Sequence, residues 1–295
     1  MKKDNEYRLL RLQYKFAPVY FLAPAFILFT VFVIWPIIQS FWISLHHWSG
    51  FGPMNWAGMA NYERLVGDER FHVSLANNVR WLVVMMLAPV GGLVLALFLN
   101  QSVRGIRAIK SFFFFPFVIN LVVIGLVFSW FYNPDLGLLA AIFRAFGLRP
   151  IPILANENIA TYAVILANLW PQTAYCMILY LTGLTSMSSE VVEAGRIDGA
   201  SGFNMLWNVI LPQLRGASFI AFVVTIVGAL RSFDLIAIMT GGGPWGSTNV
   251  LAYQMYNESI FNFNMGYGAS IAVVLFLIMS VFIAFFLWTV VKHER

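Results

Sequence analysis

Arg231 and Asp234 stand inside a long apolar run, where an ionised side chain is costly and needs a partner. At i and i+3 on a helix the two can pair with each other. Alternatively, the forked guanidinium of Arg231 can hold an anionic or hydroxyl group of a ligand. A second set is Asn168, Gln172 and Tyr175, whose i, i+4, i+7 spacing puts them on one helical face, with Trp170, Pro171 and Thr173 beside them. Inside a membrane such a stripe belongs to a bundle interior or a wet cavity, because lipid offers it no hydrogen bonds. Aromatic faces next to amides suit a sugar ring, with its apolar C–H faces and rim of hydroxyls; a hydrogen-bonded packing seam is the other reading. The third set is the polar stretch 185–216. Ser188 and Ser189 can cap a helix whose first turns carry Glu190 and Glu193. Gly199 and Gly202 allow a sharp turn, and a second short helix over 203–214 is broken near Pro212.

Enzymatic constellations are missing. Cys176 is the lone cysteine, and His46, His47, His72 and His293 have no metal-ligand spacing with it, so no metal site is expected. None of the lysines follows a glycine, which excludes a phosphate-cradling G-x-x-x-x-G-K-[ST] loop. Gly241 to Gly246 formally satisfy G-x-G-x-x-G, but no strand precedes them and a dinucleotide fold is rejected.

The elements that must carry these residues follow from composition. With 60% apolar, 17% aromatic and 11% charged residues, the chain lies outside soluble-protein averages. Apolar stretches predict six transmembrane helices near 18–44, 79–99, 112–131, 159–184, 217–239 and 268–291, in an all-α polytopic membrane protein. The first run is too long for a signal peptide and reads as an uncleaved span. Lys2, Lys3, Arg8, Arg11 and Lys15 make residues 1–17 a basic arm. Together with Arg104, Arg107, Lys110, Arg196, Arg215, Lys292 and Arg295 they outweigh the cations of the opposite loops, so both termini and the 185–216 hairpin are expected in the cytoplasm. The net charge of +5 reflects this asymmetry and not a nucleic-acid footprint. Anionic lipid headgroups account for Arg104, Arg107 and Lys110.

Within the spans, Pro89-Val90-Gly91-Gly92 predicts a close helix approach. Asn120 is either interhelical glue or part of a ligand path.

The stretch Glu193-Ala194-Gly195-Arg196-Ile197-Asp198-Gly199, followed by Leu211-Pro212, resembles the EAA loop of ABC-transporter permeases. It departs from that pattern at Gly195, usually Ala, and at Gly216, often Pro, changes that soften the helices. Gly58-Met59-Ala60-Asn61-Tyr62, then Asp68, Phe71 and Asn77-Asn78, is similar to a stretch of carbohydrate-importer permeases. So are Pro116, Trp130, Thr240-Gly241-Gly242-Gly243-Pro244, Thr248, Tyr256 and Gly266-Tyr267-Gly268-Ala269. From about Leu22 to Val291 the chain resembles a maltose-type carbohydrate ABC importer permease.

The resemblance implies a bacterial or archaeal cytoplasmic-membrane subunit working by alternating access. Its expected partners are a second homologous permease subunit, two ATP-binding subunits that hold ATP and Mg, an extracytoplasmic binding protein, lipids and a carbohydrate. No cofactor is expected in this chain. The hairpin becomes an ATPase-coupling element through Glu193, Ala194, Gly195, Asp198, Gly199 and Pro212. Substrate contacts are implied for Asn168, Gln172 and Tyr175 on the fourth helix and for Thr225, Gly228 and Ser232 on the fifth, with Arg231 beside them. The competing class is an ion-coupled secondary transporter or channel using Arg231 and Asp234. Against it stand the hairpin and the lack of a visible inverted repeat.

Overall fold

The computed structural model describes residues 17, 19–101 and 103–293; the basic arm expected over 1–17 lies outside them except for Ala17. Helix α1 (Val19–Ser44) widens into a π-turn at Thr30–Ile34, one residue before Trp35-Pro36. Pro36 has no N–H to donate, and the wider turn absorbs the gap. A two-residue antiparallel hairpin, β1 (His46–His47) with β2 (Asn55–Trp56), leads to α2 (Ala60–Gly67). Asp68 then caps α3 (Glu69–Met85), accepting from Arg70 N at 2.9 Å, and α4 (Leu87–Leu99) continues the same span.

Next come α5 (Ile106–Val118) and α6 (Leu121–Phe131), which meet at 96°. The straight third span expected over 112–131 is therefore broken. Ile119 and Asn120 are extended, and the Asn120 side chain accepts from Val122 N at 2.8 Å. Asn120 thus caps its own helix, and no interhelical hydrogen bond of its side chain is seen among the described residues. After α7 (Leu138–Ala145), the long α8 (Ala160–Thr185) runs straight through Pro171.

The hairpin consists of α9 (Ser189–Ile197) and α10 (Gly202–Gln213), and α10 bends by 76° into α11 (Arg215–Leu230). The chain closes with α12 (Asp234–Met239), α13 (Leu251–Tyr256) and α14 (Met265–His293). The predicted fifth span, 217–239, is α11 and α12 with a non-helical interruption at 231–233. Among the described residues, four helical segments are long and apolar enough to cross a membrane: α1, α3 with α4, α8, and Met265–Thr289 of α14. The bent pairs α5–α6 and α10–α11 bring the number to six if each is one span.

Helix α8 is the hub, contacted by α3, α4, α5, α6, α11 and α12. Lipid surrounds apolar surfaces as comfortably as protein does, so close packing has to hold such a bundle together. One tight crossing is α4 on α8. A Cβ at Gly92 would lie 2.5 Å from Cys176 Cβ and 2.7 Å from Met177 N, so no side chain fits. The expected close approach at Gly91-Gly92 is present at that point. At the other side of the bundle, buried Tyr267 and Ile271 tie α14 to α2 and α13.

Gly92→Val should force α4 off α8 and lower the melting temperature of the detergent-purified protein by several degrees, since overpacking costs at least about 1–3 kcal/mol. Gly216→Ala, where an added Cβ meets nothing within 4 Å, is the control and should melt like wild type. Equal melting of the two variants in a fluorescence size-exclusion assay would contradict the assigned crossing.

Candidate functional site

Helix α11 ends because Arg231 N makes its last helical bond, to Val227 O at 3.0 Å, and Phe233 (φ −143) then turns the chain before α12. The freed carbonyl of Leu230 is not left bare: Asn78 Nδ2 on α3 donates to it at 3.2 Å, and Asn78 Oδ1 accepts from Leu251 N at 2.9 Å. One buried amide thereby ties α3, the break and the start of α13 together.

A cavity of about 400 Å³ opens at this break. Asn168 and Gln172 reach it from α8, Gly228 from α11, and Arg231, Ser232 and Asp234 from the break itself. Trp81 of α3 forms a wall. It is almost fully buried, and its indole N–H has no hydrogen-bond partner among the described residues.

Thr225 and Tyr175 do not line the cavity. Thr225 is completely buried and accepts from Gln172 Nε2 at 2.9 Å, with Cys176 Sγ 3.6 Å from the same hydroxyl. Tyr175 packs on Phe117 of α5, ring centroids 5.1 Å apart. It shares a helical face with Asn168 and Gln172, but α5 covers that face farther along α8. Gln172 thus bonds across a packing seam and also lines the cavity, whereas Tyr175 packs on Phe117.

Arg231 and Asp234 form no ion pair with each other; among the described residues an ion pair joins Arg64 and Glu258, at 3.8 Å. Their i, i+3 spacing implied proximity only on a continuous helix, and the helix is not continuous. Each charge instead suits its own helix end, the cation at the C-terminus of α11 and the carboxylate in the first turn of α12. Both side chains are exposed at the cavity.

Beyond α12, the Gly241–Gly246 loop is held by hydroxyls and amides. Thr240 and Thr248 share a hydrogen bond at 2.8 Å, and Thr248 Oγ1 donates to Gly243 O at 2.9 Å. Asn77 Nδ2 donates to Ser247 O at 2.6 Å and Asn249 O at 2.7 Å, while Arg80 donates to Asn77 Oδ1 at 2.6 Å. The sequence patterns above single out neither Trp81, which lines the cavity, nor Arg80, which holds Asn77. The available signal was their spacing, one helical turn beyond Asn77-Asn78.

In the hairpin, Ser188 caps α9 by accepting from Glu190 N at 3.2 Å, as expected. Gly199 has φ 83, a conformation side chains disfavour. Gly195 is where α9 touches α10: an added Cβ would sit 3.0 Å from Val209 Cγ2. A π-turn at Leu206–Ile210 precedes Leu211-Pro212, repeating the device seen in α1. Glu193, Ala194, Asp198 and Gly199 are exposed, and so are Ile197, Phe203 and Trp207, the last two stacked at 5.8 Å.

Residues 88–293, including the hairpin, the helix break and the glycine loop, match the model of the binding-protein-dependent transport system inner membrane component family. The chain belongs to that family. It is therefore a membrane permease subunit and not itself an enzyme. A probable ABC transporter permease protein of Pyrococcus horikoshii is 35% identical over 266 residues, 88% of this chain and 90% of the relative. The trehalose/maltose transport system permease protein MalF of Thermococcus litoralis is 31% identical, over 84% of each chain. The sn-glycerol-3-phosphate transport system permease protein UgpA of Agrobacterium fabrum is 32% identical, over 85% of this chain and 86% of its own. In fold, the permease superposes on a chain from the crystal structure of a bacterial ABC transporter involved in alginate import. The TM-score is 0.84 at 19% identity, covering 98% of this chain and 100% of the other.

Because the two charges are separate, Arg231→Leu and Asp234→Leu should act independently. A double-mutant cycle on thermal stability should give a coupling below about 0.5 kcal/mol, as for residues without a shared contact. A coupling well above that value would restore the pair.

Proposed function

We propose that this permease is the transmembrane subunit of an ATP-driven importer of a sugar, oligosaccharide or sugar derivative. Its partners are a second homologous permease, two ATP-binding subunits and an extracytoplasmic binding protein, with both termini and the hairpin in the cytoplasm. The observation that carries the mechanism is connectivity. Helices α8 and α11, which supply Asn168, Gln172 and Gly228 to the cavity, are the two helices joined by the α9–α10 hairpin.

A force on the hairpin therefore acts on two walls of the cavity. The joint is stiff enough to transmit it: Leu214 is buried at the 76° bend, and a Cβ at Gly183 of α8 would come within 2.8 Å of its Cδ2. At the far end, exposed Ile197, Phe203 and Trp207 offer an apolar anchor for an ATP-binding subunit, with Glu193 and Asp198 beside it. ATP-driven closure would shift the balance between inward- and outward-facing states.

The chemistry of the cavity supports a hydroxyl-rich ligand. Asn168 and Gln172 offer amide donors and acceptors, Trp81 an aromatic wall, and the absent side chain of Gly228 leaves room for a ring. A hydroxyl against that wall would give the indole N–H of Trp81 an acceptor. The relatives named for trehalose/maltose and for sn-glycerol-3-phosphate support the same substrate class. An ion-coupled transporter lost its main support with the Arg231–Asp234 pair.

Purification from its host should bring an ATP-binding subunit along with the permease. In the assembled complex, Gly199→Glu and Glu193→Lys should abolish uptake while leaving membrane insertion intact. Uptake at the wild-type rate in both variants, at equal expression, would remove the hairpin from the mechanism. Asn168→Ala should weaken substrate stimulation of ATP hydrolysis several-fold, the loss of one ligand hydrogen bond worth about 1 kcal/mol. An unchanged half-saturation would exclude Asn168 from the binding site.

A further inference from the structure

The face of α3 that brings Trp81 to the cavity at the helix break continues outward. Arg70, Val73, Asn77 and Trp81 stand at i, i+3, i+7 and i+11, a single stripe of that helix. Arg70 and Val73 line a second cavity, of about 620 Å³, which in the proposed orientation lies on the extracytoplasmic side. The glycine loop and residues from 249 to 257 form its other sides. The two cavities are joined through one ring contact: Phe233 lines the inner one, Tyr253 lines the outer one, and their centroids are 5.7 Å apart.

The outer lining is polar, and much of it has no partner. Among the described residues the side chains of Glu69, Arg70 and Asn257 make neither a hydrogen bond nor an ion pair. Asn249 Oδ1 is also without a donor, although it is shielded from solvent. Two aromatic residues line the same space. Tyr253 fits beside the loop only because Gly242 has no side chain: a Cβ there would lie 2.9 Å from Tyr253 Cε1. Trp245 is 96% exposed, and its φ of 53 is a left-handed conformation that bulky residues disfavour. A tryptophan held in that conformation and out of the core points to a binding role.

We propose that the outer cavity is a carbohydrate subsite, which holds the sugar between its release from the binding protein and its entry into the cavity at the helix break. The assignment rests on the importer function proposed above. Glu69 and Arg70 balance in charge, which suits a neutral ligand: hydroxyls donate to the carboxylate and accept from the guanidinium, and the Asn257 amide does both. Trp245 and Tyr253 offer rings to the apolar C–H faces of a sugar. The volume is that of a small-molecule site. A protein partner fits less well, because the centre of a protein interface is depleted of charged residues and this concavity is lined by two. A sugar held here cannot diffuse away before it enters, so the subsite raises the number of sugars imported per ATP hydrolysed.

The test uses the whole complex with its binding protein in proteoliposomes, given ATP and a panel of radiolabelled neutral mono- to trisaccharides, maltose and trehalose among them. The sugar that accumulates is the probe; accumulation of none would overturn the importer function and the subsite with it. With that probe, Asn257→Ala and Glu69→Gln should each lower the sugar imported per ATP hydrolysed several-fold. The binding protein should dock on both variants as tightly as on wild type. In the complex without the binding protein, the probe should change the Trp245 fluorescence saturably, taken as the difference between wild type and Trp245→Phe. Its half-saturation should rise several-fold in Asn257→Ala. A wild-type ratio of sugar to ATP in both variants, or a Trp245 signal indifferent to the sugar, would overturn the subsite while uptake itself upholds the importer. A lowered ratio with an equal loss of binding-protein affinity would overturn it in favour of a protein-docking surface.

Discussion

Leu230 gives up its helical hydrogen bond where α11 stops, and a carbonyl at membrane depth must then find another donor. Asn78 supplies it, and the same side chain accepts from Leu251 N where α13 begins. This one buried amide serves the break that opens the cavity and parts Arg231 from Asp234, while its neighbour Asn77 holds the glycine loop. A continuous helix over 217–239 would need no such donor. It would also close the cavity with its own side chains and bring the two charges together.

Neighbouring polar groups are largely shared out, although the Trp81 indole N–H, Ser247 Oγ and Asn249 Oδ1 have no partner among the described residues. Asn77 serves two carbonyls of the glycine loop, and Thr161 of α8 donates to Ser247 O at 2.9 Å. At the end of α3 away from the break, Tyr267 donates to Asp68, Arg64 lies 4.0 Å above the Tyr267 ring, and buried Glu258 accepts from Asn262 and Asn264. This second network anchors α14 to α2 and α3. The bundle is thus pinned on both sides of the break, and α8 and α11 pass between the pins to the hairpin.

Proline and glycine set the shape of the moving parts. Two of the π-turns precede a proline, in α1 and in α10, where a missing N–H would otherwise leave a carbonyl unserved. Gly195 and Gly183 serve close contact instead, one between the arms of the hairpin and the other between α8 and Leu214. The substitution of Gly for the usual Ala at 195 is therefore a packing feature as much as a softening of the helix.

What the amino-acid sequence determined by itself is the all-helical membrane architecture and the hairpin. Both are written in local properties: runs of apolar residues, the serine cap at 188 and the glycine at 199. Five of the proposed ligand residues, Asn168, Gln172, Gly228, Arg231 and Ser232, could likewise be found from polar side chains and small residues in apolar helices. Tertiary structure alone decided the rest. It assigned Tyr175 to Phe117 and Thr225 to Gln172, and it made Asn120 a cap. It also broke the third and fifth spans, and so parted Arg231 from Asp234. Helical periodicity says which residues share a face, but what covers that face is set by helices distant in the chain. A break in a helix is stable only when a remote donor such as Asn78 receives the freed carbonyl, and no local pattern records that partner.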